Sequence, residues 1–163
     1  MAGDANIGKD SAKDPTVAMA ELFATFYHFI TKEIVDSLGE EKGKELVRRA
    51  VHKFGQHRGE KIRERVEKEG LPPDLTSLVR FYDFPASNLV ETDVAYDPKS
   101  YDEVTKYCTF AKVWKKLGAE DLGRIYCEQD FTLATGFNKD VKCSRACNIM
   151  DPGGNMCRFL MKL

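Results

Sequence analysis

The chain has 163 residues, 25 of them basic and 26 acidic, with a formal net charge of −1. That length suits one domain with a real core and is short for two. The charges are interspersed rather than blocked, which argues against a nucleic-acid partner, and no apolar run reaches the ~20 residues that a membrane helix needs.

Residues 1–14, MAGDANIGKDSAKD, read as a disordered polar lead-in without the apolar core of an export signal. The expected location is therefore the cytoplasm, with residues 15–163 forming a single α+β domain. All five cysteines lie from Cys108 onward, and an odd count without an export signal favours free thiols over a disulfide framework.

Asp14-Pro15 joins a capping side chain to a proline at the first helical position, and Gly39 supplies a stop. A helix to about Leu38 is predicted, with Met19, Leu22, Phe23, Phe26, Ile30 and Ile34 as its apolar stripe. His28 within it reads as a satisfied core or boundary histidine. A second helix, from about Glu40 to Glu69, sets Leu46, Val47, Ala50, Val51, Phe54, Ile62 and Val66 on one stripe. Its Gly55 and Gly59 each cost ~1 kcal/mol against alanine, and close approach of another backbone is the expected reason. His52 and His57 do not share a face. Arg48, Arg49, Lys53, Arg58, Arg63 and Arg65 read as a solvated face.

Gly70-Leu71-Pro72-Pro73 ends this helix, and Asp74 caps a short one through Tyr82. Asn88–Tyr96 and Tyr101–Cys108 read as strands joined by the turn Asp97-Pro98-Lys99-Ser100. Thr109–Leu117 is an amphipathic helix closed by Gly118. Cys108 stands where strand hands over to helix, a place where free amides and the helix dipole lower a thiol pKa.

Ala119–Thr135 reads as one helix with Leu122, Ile125, Tyr126 and Leu133 inward, and it brings Cys127 and Asp130 to a shared face. Val141–Met150 alternates as a strand, turning Cys143, Arg145 and Cys147 to the inner side. The turn Asp151–Asn155 leads into a last strand, Met156–Leu163, with Cys157, Phe159 and Met161 inward. The predicted fold is α+β: an antiparallel sheet of about four strands from two hairpins, with long N-terminal helices and two later helices packed on it.

No phosphate loop, dinucleotide glycine pattern, zincin helix or GxSxG elbow is present. Arg145 carries the strongest chemical signal, because a guanidinium on an inner face needs a carboxylate. Asp130 is one candidate and a substrate carboxylate the other; a purely structural Arg/Asp pair has equal standing. Cys143 and Cys147 lie ~13 Å apart on an extended strand, too far to share one ion. A metal held by Cys108, Cys127 and Cys157 stays open.

The run Cys108-x5-Trp114-x2-Leu117-Gly118, Leu122-Gly123-x2-Tyr126-Cys127-x2-Asp130, Arg145 and Gly154-x2-Cys157-x-Phe159 resembles the L-2-amino-thiazoline-4-carboxylic acid hydrolase family. The resemblance extends back to Gly55-x-x-Arg58-Gly59. It implies hydrolytic opening of a cyclic isothiourea to N-carbamoyl-L-cysteine, without a required cofactor. Asp130 would orient or deprotonate water, Arg145 would hold the substrate carboxylate, and Cys108 and Tyr126 would line the same site. Cys127 or Cys157 is the alternative, covalent nucleophile. The implied partner is a small carboxylate substrate, with homo-oligomerisation left open. A second reading makes the same cysteine-lined site a non-enzymatic ligand, metal or redox sensor.

Overall fold

The computed structural model describes residues 14–84 and 88–163. The lead-in expected over residues 1–14 lies outside them apart from Asp14. Helix α1 (Pro15–Leu38) begins as its sequence requires, the Asp14 carboxylate accepting the Thr16 amide at 2.8 Å with proline in the first turn. Gly39, at φ +81°, turns the chain into α2 (Glu40–Lys68). Asp74 caps α3 (Leu75–Arg80) by accepting the Ser77 amide at 2.9 Å.

Strands β1 (Val90–Asp97) and β2 (Ser100–Cys108) form the first hairpin, its turn fixed by Asp97, which accepts the amides of Lys99 and Ser100. Helix α4 (Thr109–Leu117) follows directly. Strands β3 (Lys142–Cys147) and β4 (Cys157–Lys162) form the second hairpin. The sheet order is β1-β2-β4-β3, antiparallel throughout, so β4 joins the two hairpins. Strand β3 ends earlier than Met150 because side chains redirect the chain there. Asp151 accepts the Asn148 amide at 3.1 Å and Asn148 accepts the Met150 amide at 2.9 Å.

The single helix expected over Ala119–Thr135 is two, α5 (Glu120–Cys127) and α6 (Gln129–Phe137). The break at Glu128 is made by tertiary contacts. The Glu128 carboxylate is held by Arg48 at 3.0 Å and His52 at 2.7 Å, both from α2. At the same point the Gln129 backbone presses on Gly55. The local hydrogen bonding tightens accordingly, with the Phe131 amide reaching the Glu128 carbonyl three residues back.

One face of the sheet is covered by helices. Ile62 and Val66 of α2, Leu75 and Leu78 of α3, and Leu133 and Phe137 of α6 pack against Phe159 and Met161 of β4. A second cluster joins α1, α4 and α5 around Trp114, Phe110 and Tyr126, and the Trp114 indole donates to the Ala24 carbonyl at 2.9 Å. The glycines of α2 meet a backbone, as expected. A Cβ on Gly59 would lie 2.6 Å from the Phe137 nitrogen, and one on Gly136 would lie 2.6 Å from the Gln56 carbonyl oxygen.

Three readings of side-chain direction are corrected. The large apolar residues of α1 do not form its buried face; Ala20, Ala24, His28 and Thr31 do, while Met19, Leu22 and Phe26 are exposed. Small residues let α1 lie close to Trp114, and spacing alone does not say which of two stripes turns inward. Leu46, Ala50 and Phe54 of α2 are likewise exposed. Arg58, assigned to the solvated face, is buried. His28 is buried too, but its Nδ1 has no partner among the described residues.

Candidate functional site

Partners across a strand ladder share a face, so the register of β2, β4 and β3 sets three rows beneath the helices. Tyr101, Met161 and Cys143 form one row, and Glu103, Phe159 and Arg145 the next. Thr105 stands opposite Cys157 in the third. Arg145 and Glu103 therefore flank Phe159 on the covered side.

Helix α6 places Asp130 over this middle row. Arg145 Nη2 donates to Asp130 Oδ2 at 2.6 Å and Nη1 donates to the Cys127 carbonyl at 3.1 Å. The guanidinium carbon lies 5.2 Å from the Phe131 ring centroid and 5.3 Å from that of Phe159, within cation–π range of both. The break at Glu128 matters here. With the Phe131 amide turned to Glu128, the Cys127 carbonyl is presented to Arg145. Arg145 Nε is buried and has no partner among the described residues. A buried donor without an acceptor is costly unless something else meets it.

The Asp130 carboxyl is raised above the ordinary carboxylate range. Burial is the main cause, opposed by Arg145 and reinforced by Glu103. A third of its side-chain surface nevertheless meets solvent (33%), and Oδ1 takes no hydrogen bond among the described residues. Glu103 accepts the Thr105 hydroxyl at 2.7 Å and the Tyr101 hydroxyl, whose own pKa burial and Glu103 push far up. Two carboxyl groups thus feel one another across a face that also holds a guanidinium.

The thiols are half-buried and unpaired. Burial raises Cys127 far above a free thiol, and the charges of Asp130, Cys108 and Cys157 act in the same direction, while Arg145 opposes them. Cys108 is also raised, contrary to expectation: burial outweighs the pull of the Ala111 and Phe110 amides at the start of α4. Cys157 Sγ accepts the Ile149 amide at 3.2 Å and is raised by burial as well. Cys143, on the Met161 row, is pushed up to about 11 by burial. Cys147 lies past a register shift, opposite Arg158. Among the described residues no group of three His, Cys, Asp or Glu side chains is placed to hold a metal ion.

Tyr126 is divided between two roles. Its ring packs among Phe110, Tyr27 and Trp114, while burial pushes its hydroxyl, hydrogen-bonded to Gln129, up to about 12. Gln129 Oε1 in turn accepts Arg58 Nη1 at 2.7 Å, and Arg58 Nε donates to Asp83 at 3.0 Å. Phe54 and Tyr82 rings flank the Arg58 guanidinium, each 5.5 Å away. This network braces the first turn of α6, next to Asp130. Surface depressions of about 660 Å³, beside His28 and Leu117, and about 550 Å³, beside Arg124 and Gly154, include neither Asp130 nor Arg145.

Sequence reasoning brought Asp130, Arg145, Cys127, Cys108 and Cys157 to one neighbourhood, and the structure does the same. It missed Glu103, Tyr101 and the Arg58–Gln129 brace. The alternation of Tyr101, Glu103 and Thr105 along β2, in register with the apolar face of β4, is the signal that locates the first two.

A helix-covered antiparallel sheet with a half-buried aspartate–arginine pair on the covered face defines an α+β domain with an ion pair beneath its helical layer. Residues 19–161 match the L-2-amino-thiazoline-4-carboxylic acid hydrolase family, and the chain belongs to that family. Among solved structures it is similar to a trafficking protein particle complex subunit 3 from Naegleria fowleri, covalently bound to palmitic acid. The TM-score is 0.53 and the identity 14%, over 90% of this chain and 95% of that one, a likeness of fold. A comparison with curated proteins found no match. Among the described residues no helix is long and apolar enough to cross a membrane.

Proposed function

We propose that the chain hydrolyses a small cyclic isothiourea bearing a carboxylate, with L-2-amino-thiazoline-4-carboxylate as the substrate and N-carbamoyl-L-cysteine as the product. The observation that carries this reading is the Arg145–Asp130 pair at 2.6 Å, with a further buried and unpartnered donor on Arg145. A substrate carboxylate meets that donor with a charge-assisted hydrogen bond.

The reaction adds water at the ring carbon between nitrogen and sulfur. As the oxygen–carbon bond forms, Asp130 Oδ1 takes one water proton and the C=N π pair passes to the ring nitrogen, which then takes that proton from Asp130. The added hydroxyl gives its remaining proton to Asp130 as the carbon–sulfur bond breaks. The leaving sulfur recovers a proton and the carbon becomes the urea-like carbonyl of the product. A carboxyl group raised above its ordinary range is better suited to both accepting and returning a proton than an ordinary carboxylate. The burial that raises the Cys127 and Cys157 thiols supports the water route over the covalent one.

The test is to incubate reduced protein with L-2-amino-thiazoline-4-carboxylate and follow N-carbamoyl-L-cysteine by mass. Turnover that falls by ~10²-fold or more in a folded Asp130→Asn variant supports the proposal. A folded wild-type protein that leaves the substrate intact removes it.

A further inference from the structure

We infer that the outer face of α1 is an interface with a second copy of this chain. Six large apolar side chains of α1 stand open: Met19 at 64%, Leu22 at 62%, Phe23 at 41%, Phe26 at 61%, Phe29 at 62% and Ile30 at 44%. They recur at helical spacing and form one stripe, opposite the Ala20, Ala24, His28 and Thr31 face that packs inward. A helix that is apolar on both sides belongs to an interior, so the outer stripe needs cover. Fully exposed side chains of this size present ~150–250 Å² each, and at these exposures the stripe offers roughly 700 Å². That exceeds the largest apolar patch usual on a monomer and is close to the ~800 Å² per partner of a standard dimer interface.

The arrangement suits a copy of itself. When two α1 helices pack antiparallel about a two-fold axis, the stripe is self-complementary: Phe23 meets Phe26 of the other copy, and Met19 meets Ile30. Glu33, the charged residue at the end of the stripe, then lies beside the other copy's α1 N-terminus, where a helix dipole favours a negative group. Such an isologous contact closes on itself and leaves none of these six side chains for a third chain. The Asp130–Arg145 pair, on α6 and β3, lies outside the face. Phe23 ties the face to the second core cluster, its ring packing edge-on against Phe110 and Tyr126.

Sedimentation of the full chain tests the inference. The expected result is twice the mass of one chain at micromolar concentrations. Phe26→Glu is expected to raise the dimer dissociation constant at least 100-fold, with far- and near-ultraviolet circular dichroism unchanged. Phe29→Glu, at a second open position, repeats the test if Phe26→Glu does not fold. A wild-type chain that stays monomeric up to ~100 μM overturns the inference, as does a dimer that both charged variants leave intact. A monomer that instead floats with phosphatidylcholine vesicles overturns it and assigns the face to lipid.

Discussion

Gly59→Ala sets two known effects against each other with opposite signs. In a helix interior alanine is better than glycine by ~1 kcal/mol, so at an open position the substitution stabilises. At position 59 the new methyl would meet the Leu133 carbonyl, the Phe137 nitrogen at 2.6 Å and the Gly136 carbonyl carbon at 3.0 Å. Ordinary contact begins at about 3.5 Å, so α2 and α6 must separate by roughly 1 Å. The opposing atoms are backbone, which has no rotamer to yield, and this places the cost near the top of the ~1–3 kcal/mol range for overpacking. The net expectation is a loss of about 2 kcal/mol. In urea, with a slope of ~1–3 kcal/mol/M, the unfolding midpoint falls by about 1 M. A midpoint that rises, the sign of helix propensity acting alone, would falsify the close approach of α2 to α6. Gly55→Ala provides a second measurement one turn earlier, where the Gln129 Cα lies 3.0 Å from the added carbon.

The raised Asp130 carboxyl predicts an acid limb in kcat/KM whose midpoint lies above the ordinary carboxylate range, since the base must be ionised. The linkage sign agrees: with the folded pKa above the unfolded one, ionised Asp130 costs stability at neutral pH. That cost disappears as pH falls through the folded pKa. Urea unfolding of Asp130→Asn at pH 7 should therefore show a loss of only about 2 kcal/mol, because relief of the costly carboxylate charge partly offsets the Arg145 guanidinium left without its partner, and a loss above ~5 kcal/mol would contradict the assignment. Arg145→Met leaves Asp130 without its partner and is expected to destabilise by about 3 kcal/mol at pH 7, and by less as acid protonates the carboxyl. Arg145→Lys should keep the fold and raise KM more than it lowers kcat, read from steady-state turnover. Iodoacetamide at pH 7.5 should modify Cys127, Cys108 and Cys157 more slowly than free cysteine. One thiol reacting faster than free cysteine would restore the covalent route.

The strands and both hairpins were legible because alternation and turn residues are local. Asp97 alone fixes the first turn, and the inward set of Arg145, Cys157, Phe159 and Met161 follows from period two. The direction of α1 was not legible. Its two stripes have the same helical period, and the smaller one, Ala20 and Ala24, wins by fitting against Trp114. The break at Glu128 has no glycine or proline to announce it; it is imposed by Arg48, His52 and Gly55, some 70 to 80 residues earlier in the chain. Arg58 was misplaced for a related reason, because its partners Asp83 and Gln129 come from other elements. Glu103 lay on a strand read correctly, but its face is decided by β4.

The contact between Arg145 and residue 127 is made to a carbonyl, not to a side chain. The arginine therefore reads the path of the chain at that point and is indifferent to which amino acid occupies it. Cysteine there can be exchanged for another small residue without disturbing the guanidinium. A deletion or insertion between Glu128 and Asp130 cannot be absorbed in the same way, since each residue turns a helix by ~100° and would carry the carboxylate off the sheet. Sequence drift at position 127 is thus expected among small residues, while the spacing from 127 to 130 is held.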